Sequence, residues 1–132
     1  MIEKRFSGAI EDAVEGRLES WEESEKGCLA LIILLDQFTR NVFRDTPRSF
    51  IGDNRALALS QLCCNKDYLT NPDVHRRQFM LIPMMHSENL AVQDAALPLF
   101  KKYASGKDYE YAEKHRDIIV RFGRFPHRNV IL

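Results

Sequence analysis

The chain lacks any long apolar run. The longest, residues 28–35, is eight residues, against the ~20 that a membrane-crossing helix needs. No signal-peptide layout opens the chain either. Cysteine is scarce: only Cys28, Cys63 and Cys64. An odd number without framework spacing excludes a disulfide scaffold and implies free thiols in a reducing compartment, so the expected location is cytoplasmic. Cys63 and Cys64 are adjacent and cannot form an unstrained bridge. Net charge is also missing, with 19 basic and 19 acidic residues. That excludes a general binder of nucleic acid or of acidic membranes, and neither is expected as a partner. There is no phosphate-cradling glycine loop, no HExxH and no paired-cysteine spacing, so no cofactor is expected. No segment alternates at period two, and no clean repeat recurs, so neither a sheet nor a repeat array follows from the pattern.

What is present is helical spacing in a chain of 132 residues, 45% hydrophobic and 29% charged. That length makes one domain, residues 1–132, with a real core. Phe6, Ile10, Val14, Leu18 and Trp21 step by about four, one face of a helix that Gly16 bends or breaks. Charge is unevenly spread. Residues 1–26 hold eight acids and four bases, a balance of −4, and residues 27–132 hold eleven and fifteen, a balance of +4.

A second helix is expected over about residues 27–43. It opens with Leu29–Leu35, all apolar, and then presents Asp36, Gln37, Arg40, Asn41 and Arg44, with Arg48 just beyond. On an ideal α-helical wheel these polar side chains share one side, following a fully buried turn. Thr46–Pro47 reads as an N-cap with Pro at N1, opening a short helix over 47–52. Asp53 is expected to cap the next helix, and Asn71–Pro72 to open another that Pro83 kinks or ends. Ser87 is the expected cap of a helix ending at Ser105–Gly106. The last helix is expected over about 108–122, with Tyr111, His115, Ile118, Ile119 and Phe122 as its stripe and Gly123 as its C-terminal cap. Five to seven helices joined by short turns predict an all-α antiparallel bundle.

Three polar blocks carry whatever chemistry the chain performs. The first is Asp36 to Arg48, where arginine forks suit carboxylate or phosphate and Asp36 can orient Arg40 at the i,i+4 spacing. The bland alternative is a buried network that ties helices together. The second is His86–Ser87–Glu88 followed by Gln93. It reads as an acid–base pair, or more simply as a cap with a first-turn acid that suits the helix dipole. The third is Arg121, Arg124, His127, Arg128 and Asn129 beside Phe122 and Phe125. A metal is not expected, and His86, Glu88, His115 and His127 form the weak alternative set. His115 lies on an apolar stripe, where a satisfied core histidine is the usual case.

The blocks LIILLDQFTRNVFR (31–44), His86–Ser87–Glu88 with Gln93, and RFGRFPHRN (121–129) occur together over about a hundred residues. In order and spacing they resemble bacterial domain-of-unknown-function family 924. The resemblance implies a helical fold like that of tetratricopeptide repeats, built of helix hairpins, and it implies no settled activity or catalytic residue. Thr39 stands where members often have Pro. Members also begin earlier and continue past the tail, so relative to them this chain is a short member or a fragment. Its apolar ends, Met1–Ile2 and Val130–Leu132, would then invite self-association as a homo-oligomer.

The expected function is binding of an anionic small molecule or peptide in a cleft. Arg40, Arg44, Arg124 and Arg128 would hold the anion. Asp36, Gln37, Asn41 and Asn129 would orient them, and His86, Glu88 and His127 would line the rim. One alternative is a hydrolase-like enzyme using His86, Glu88 and His127, by acid–base chemistry or with a metal. Another is a scaffold for protein partners.

Overall fold

Backbone capping sets where the helices of this chain begin and end. The computed structural model describes residues 2–126, with side chains from residue 8 onward. The helices are α1 (Ile2–Val14), α2 (Glu25–Ile32), α3 (Thr39–Val42), α4 (Asp53–Asn65), α5 (Val74–Met85), α6 (Leu90–Tyr103) and α7 (Gly106–Phe122). Short 3₁₀ turns at Glu19–Glu23, Pro47–Phe50 and Tyr68–Thr70 connect them, and no strand occurs among the described residues.

α1 ends at Val14 because Gly16 takes a left-handed φ of 78°, which terminates a right-handed helix. Ser24 starts α2 by accepting the Gly27 N–H at 3.0 Å. Three expected caps move by one or two residues. Gly52 rather than Asp53 precedes α4, and Asp73 rather than Asn71 caps α5. Asn89 rather than Ser87 caps α6. For both α5 and α6 a side chain upstream accepts the true cap's own N–H. Asn71 serves Asp73 and Ser87 serves Asn89, the local turn that these residue types favour. Pro83 does not stop α5, which runs two residues further. Gly123, with φ 70°, closes α7 as expected.

α2 and the residues directly after it, Ile33–Phe38, are the centre of the core. Leu31, Ile32 and Leu35 are at most 1% exposed, and burying such side chains stabilises by about 1.5–3 kcal/mol each. They sit among Ile10 of α1, Leu59 of α4, Met80 and Leu81 of α5 and Phe100 of α6. α4, α5, α6 and α7 then pack each on the next. On α7, Ala112 and Ile119 face inward, whereas Tyr111 and Phe122, expected on the same stripe, are exposed. The side chain of Phe6 lies outside the described residues.

Candidate functional site

The helix that begins as α2 does not keep α-helical register. Ile33–Phe38 form a π-helical turn that joins α2 to α3. A π turn inserts one extra residue, rotates the helix beyond it and often marks a functional segment. Thr39 supports it, with its hydroxyl donating to the carbonyls of Leu35 (2.8 Å) and Asp36 (3.3 Å). Gly52 lies against it so closely that a Cβ there would stand 2.3 Å from the Leu35 carbonyl oxygen. Only glycine permits that approach, which brings Asp53, at the start of α4, to Arg40.

The rotation divides the first polar block. Asp36 turns inward and is 1% exposed, while Asn41, Arg44 and Arg48 are exposed. Asp36 Oδ1 accepts from His86 Nδ1 (2.8 Å) and Arg40 Nη1 (3.2 Å), and Oδ2 accepts from Gln37 Nε2 (2.6 Å). Burial pushes the Asp36 carboxyl up. Hydrogen bonding and attraction from His86, then Arg40 and Gln37, outweigh it and hold the group below the usual aspartate value. Arg40 also grips Asp53 with both terminal nitrogens, at 2.9 and 3.0 Å. Its guanidinium is therefore matched by two carboxylates, the two-pronged geometry that arginine favours. Arg48 is engaged elsewhere, with Glu11 at 3.0 Å and over the Phe43 ring.

His86 is placed by the end of α5. It is the C-terminal cap residue, and α5 leaves carbonyls there without helical partners. Gln93 of α6, fully buried, donates its amide to two carbonyls at this corner, Met85 (2.8 Å) and Ser87 (2.7 Å). Those bonds bracket His86 and fix its direction. Because a carboxylate only accepts, the 2.8 Å bond to Asp36 puts a proton on His86 Nδ1. His115 obeys the same rule, since its Nδ1 meets the Tyr111 carbonyl at 2.7 Å. The His86 and His115 ring centroids are 6.4 Å apart. Burial lowers the His115 pKa, the Tyr111 carbonyl opposes this, and proximity to His86 lowers it further.

Among the described residues, the third block joins through the turn after α7. Glu88 Oε2 accepts the Phe125 N–H at 2.6 Å, which holds the turn after α7 against the α5–α6 corner. Phe125 packs edge-on to His115 at 5.6 Å. The three blocks therefore converge, and they enclose a pocket of about 290 Å³ lined by Arg40, Phe50, His86, His115, Ile118, Phe125 and Pro126. A second pocket of about 180 Å³ opens on the other side of His86, bounded by Asp53, Asn54, Leu57, Pro83, Ser87 and Glu88. Arg124 is exposed. His127, Arg128 and Asn129 lie outside the described residues.

Among the described residues, no group of three or more His, Cys, Asp or Glu side chains is arranged to hold a metal ion. Of the weak metal set, His86 and His115 share the pocket, and Glu88 is directed to the Phe125 amide. Sequence reasoning did not single out Phe50, Asp53 as an Arg40 partner, or Gly52. Phe50 and Asp53 carried only the signals of an ordinary loop aromatic and a helix cap.

The chain resembles a solved protein of unknown function from Agrobacterium tumefaciens. They are 38% identical, with a TM-score of 0.90 over 97% of this chain and 72% of the other. No curated protein matches. The model of the bacterial protein family of unknown function DUF924 matches residues 1–132, and the chain with its π turn, its Asp36–His86 pair and its Phe125 wall belongs to that family.

Proposed function

We propose that this protein binds a small molecule in the pocket beside His86, with the Asp36–His86 pair as the polar anchor. The observation that carries the reading is the 2.8 Å bond from His86 to a carboxylate that is 1% exposed. A buried charge is costly unless it is paired. Here the pairing orients an imidazole into the wall of a concave, largely apolar cavity, the usual composition of a ligand site. Free thiols at Cys28, Cys63 and Cys64 support a reducing compartment, and we place the activity in the cytoplasm.

The test is a fragment screen followed by amide NMR. Binders should shift the His86, His115 and Phe125 amides together, and His86→Gln should weaken them. A panel of binders that all perturb some other face would overturn the assignment.

A second reading, acid–base catalysis with His86 as the proton carrier, is supported by the same pair. A carboxylate bonded to Nδ1 fixes the tautomer that lets Nε2 take a proton. Turnover of an identified substrate that persists unchanged in His86→Gln would remove it.

A further inference from the structure

We propose that two copies of this chain associate through the outward face of α7, packed antiparallel about a twofold axis. The inference concerns a surface of the molecule and is independent of the ligand reading above.

Three observations carry it. First, exposure: α7 packs chiefly on α6 and α5, with Ala112 and Ile119 as its buried residues. Tyr111 and Phe122, one towards each end of the helix, are 45% and 55% exposed. Aromatic side chains are large apolar anchors wherever two surfaces meet. Second, shape: Lys107, Glu110, Tyr111 and Lys114 line a hollow of about 100 Å³. They stand at i, i+3, i+4 and i+7, the four-residue hole that takes a side chain from a facing helix. An antiparallel copy brings Phe122, from its C-terminal end, to that hole. Its ring then meets Tyr111 and the ammonium groups of Lys107 and Lys114. Third, charge: Glu110, Lys114, Asp117 and Arg121 are exposed, alternate in sign and recur at spacings of four, three and four along one side of α7. Read in the opposite direction the order is Arg121, Asp117, Lys114, Glu110. In a single antiparallel register Glu110 therefore faces Arg121 and Lys114 faces Asp117, and the twofold axis makes each pair twice. Within the chain, the ion-pair contact of Asp117 is a long one, with Arg116 at 4.0 Å. A parallel pair would set each of these residues against its own copy, like charge on like. The helix is 17 residues long, and one such face lies at the small end of specific interfaces, so a dissociation constant of about 10–100 µM is expected.

The test is analytical ultracentrifugation of the full chain from about 1 µM to about 1 mM. It should show a monomer–dimer equilibrium that weakens as salt is raised. Glu110→Arg alone, and Arg121→Glu alone, each set two like-charge pairs across the interface and should weaken the dimer about tenfold. An equal mixture of the two variants restores every opposite-sign pair and should recover a heterodimer as tight as the wild-type dimer. Phe122→Ala should weaken the dimer by a similar factor. Circular dichroism checks that each exposed-site variant keeps the fold. A wild-type chain that stays monomeric at the highest concentration overturns the proposal. A dimer that neither charge reversal affects overturns it too, because the contact then lies on another face. If both reversals weaken the dimer and the mixture fails to recover it, the antiparallel pairing is refuted.

Discussion

Replacing Asp36 by Asn tests whether one carboxylate organises the site. The change keeps the shape and removes the charge and one acceptor. Asp36 receives three side-chain hydrogen bonds, from His86, Arg40 and Gln37, at 1% exposure. An Asn oxygen can serve one edge of this set, and its NH₂ then confronts a donor on the other. Removing one partner of a buried ion pair outright costs about 3–5 kcal/mol. Asn retains an acceptor and Arg40 keeps Asp53, so the expected loss is about 2–3 kcal/mol. With unfolding entropy near 2.1 cal/mol/K per residue, a chain of this length loses about 7–11 °C in Tm. Urea denaturation measured across pH adds a second readout. The folded-state pKa of Asp36 lies below its unfolded value. Its stabilisation is therefore complete above the unfolded value, about 3.9, and is lost as pH falls through the folded value. The gap between wild type and Asp36→Asn should close as pH falls below about 4. A loss under about 1 kcal/mol at neutral pH, or a gap unchanged at low pH, would refute the reasoning.

Gly52→Ala places a Cβ 2.3 Å from the Leu35 carbonyl oxygen, so the start of α4 must move off the π turn. The expected loss is about 1–3 kcal/mol in chemical denaturation, with shifted Arg40 and His86 signals in NMR spectra. Gln93→Leu keeps the bulk but strips the Met85 and Ser87 carbonyls of their donor. It should cost about 1–3 kcal/mol by thermal melting and broaden the His86 resonances. His115 has a folded pKa below that of a free histidine, so the stability it contributes is present above about pH 6.5 and is lost as pH falls through the folded value. His115→Gln should flatten that part of the stability curve, measured as the urea midpoint against pH.

The helical architecture was legible because it rests on spacing. Apolar residues three and four apart, Gly16 and Gly123 at helix ends, and the break at Ser105–Gly106 act locally. Caps slipped by a residue or two because neighbouring Asx and Ser residues compete for the same role, as Asn71 and Asp73 do. The π turn was not legible. An ideal wheel keeps Asp36, Arg40, Asn41 and Arg44 on one side. The insertion of an extra residue, held by Thr39 and admitted by Gly52, sends Asp36 inward and leaves Asn41 and Arg44 in solvent. No periodicity announces such an insertion, since the close approach that admits it comes from Gly52, a residue remote from Leu35 along the chain.

Sequence alone therefore determined that the chain is helical, that the 29–35 stretch is its buried axis, and that three polar blocks lie at helix ends. Each of these is a property of residues near one another along the chain. Only the tertiary structure decided what those blocks do to one another. It turned Arg40 from a free anion-binding fork into the partner of Asp36 and Asp53, and bound His86 to Asp36 across fifty residues. It also drew Phe125 to Glu88 to close a pocket. Charge balance and tautomer depend on distances between distant segments, and those distances exist only once the helices have packed.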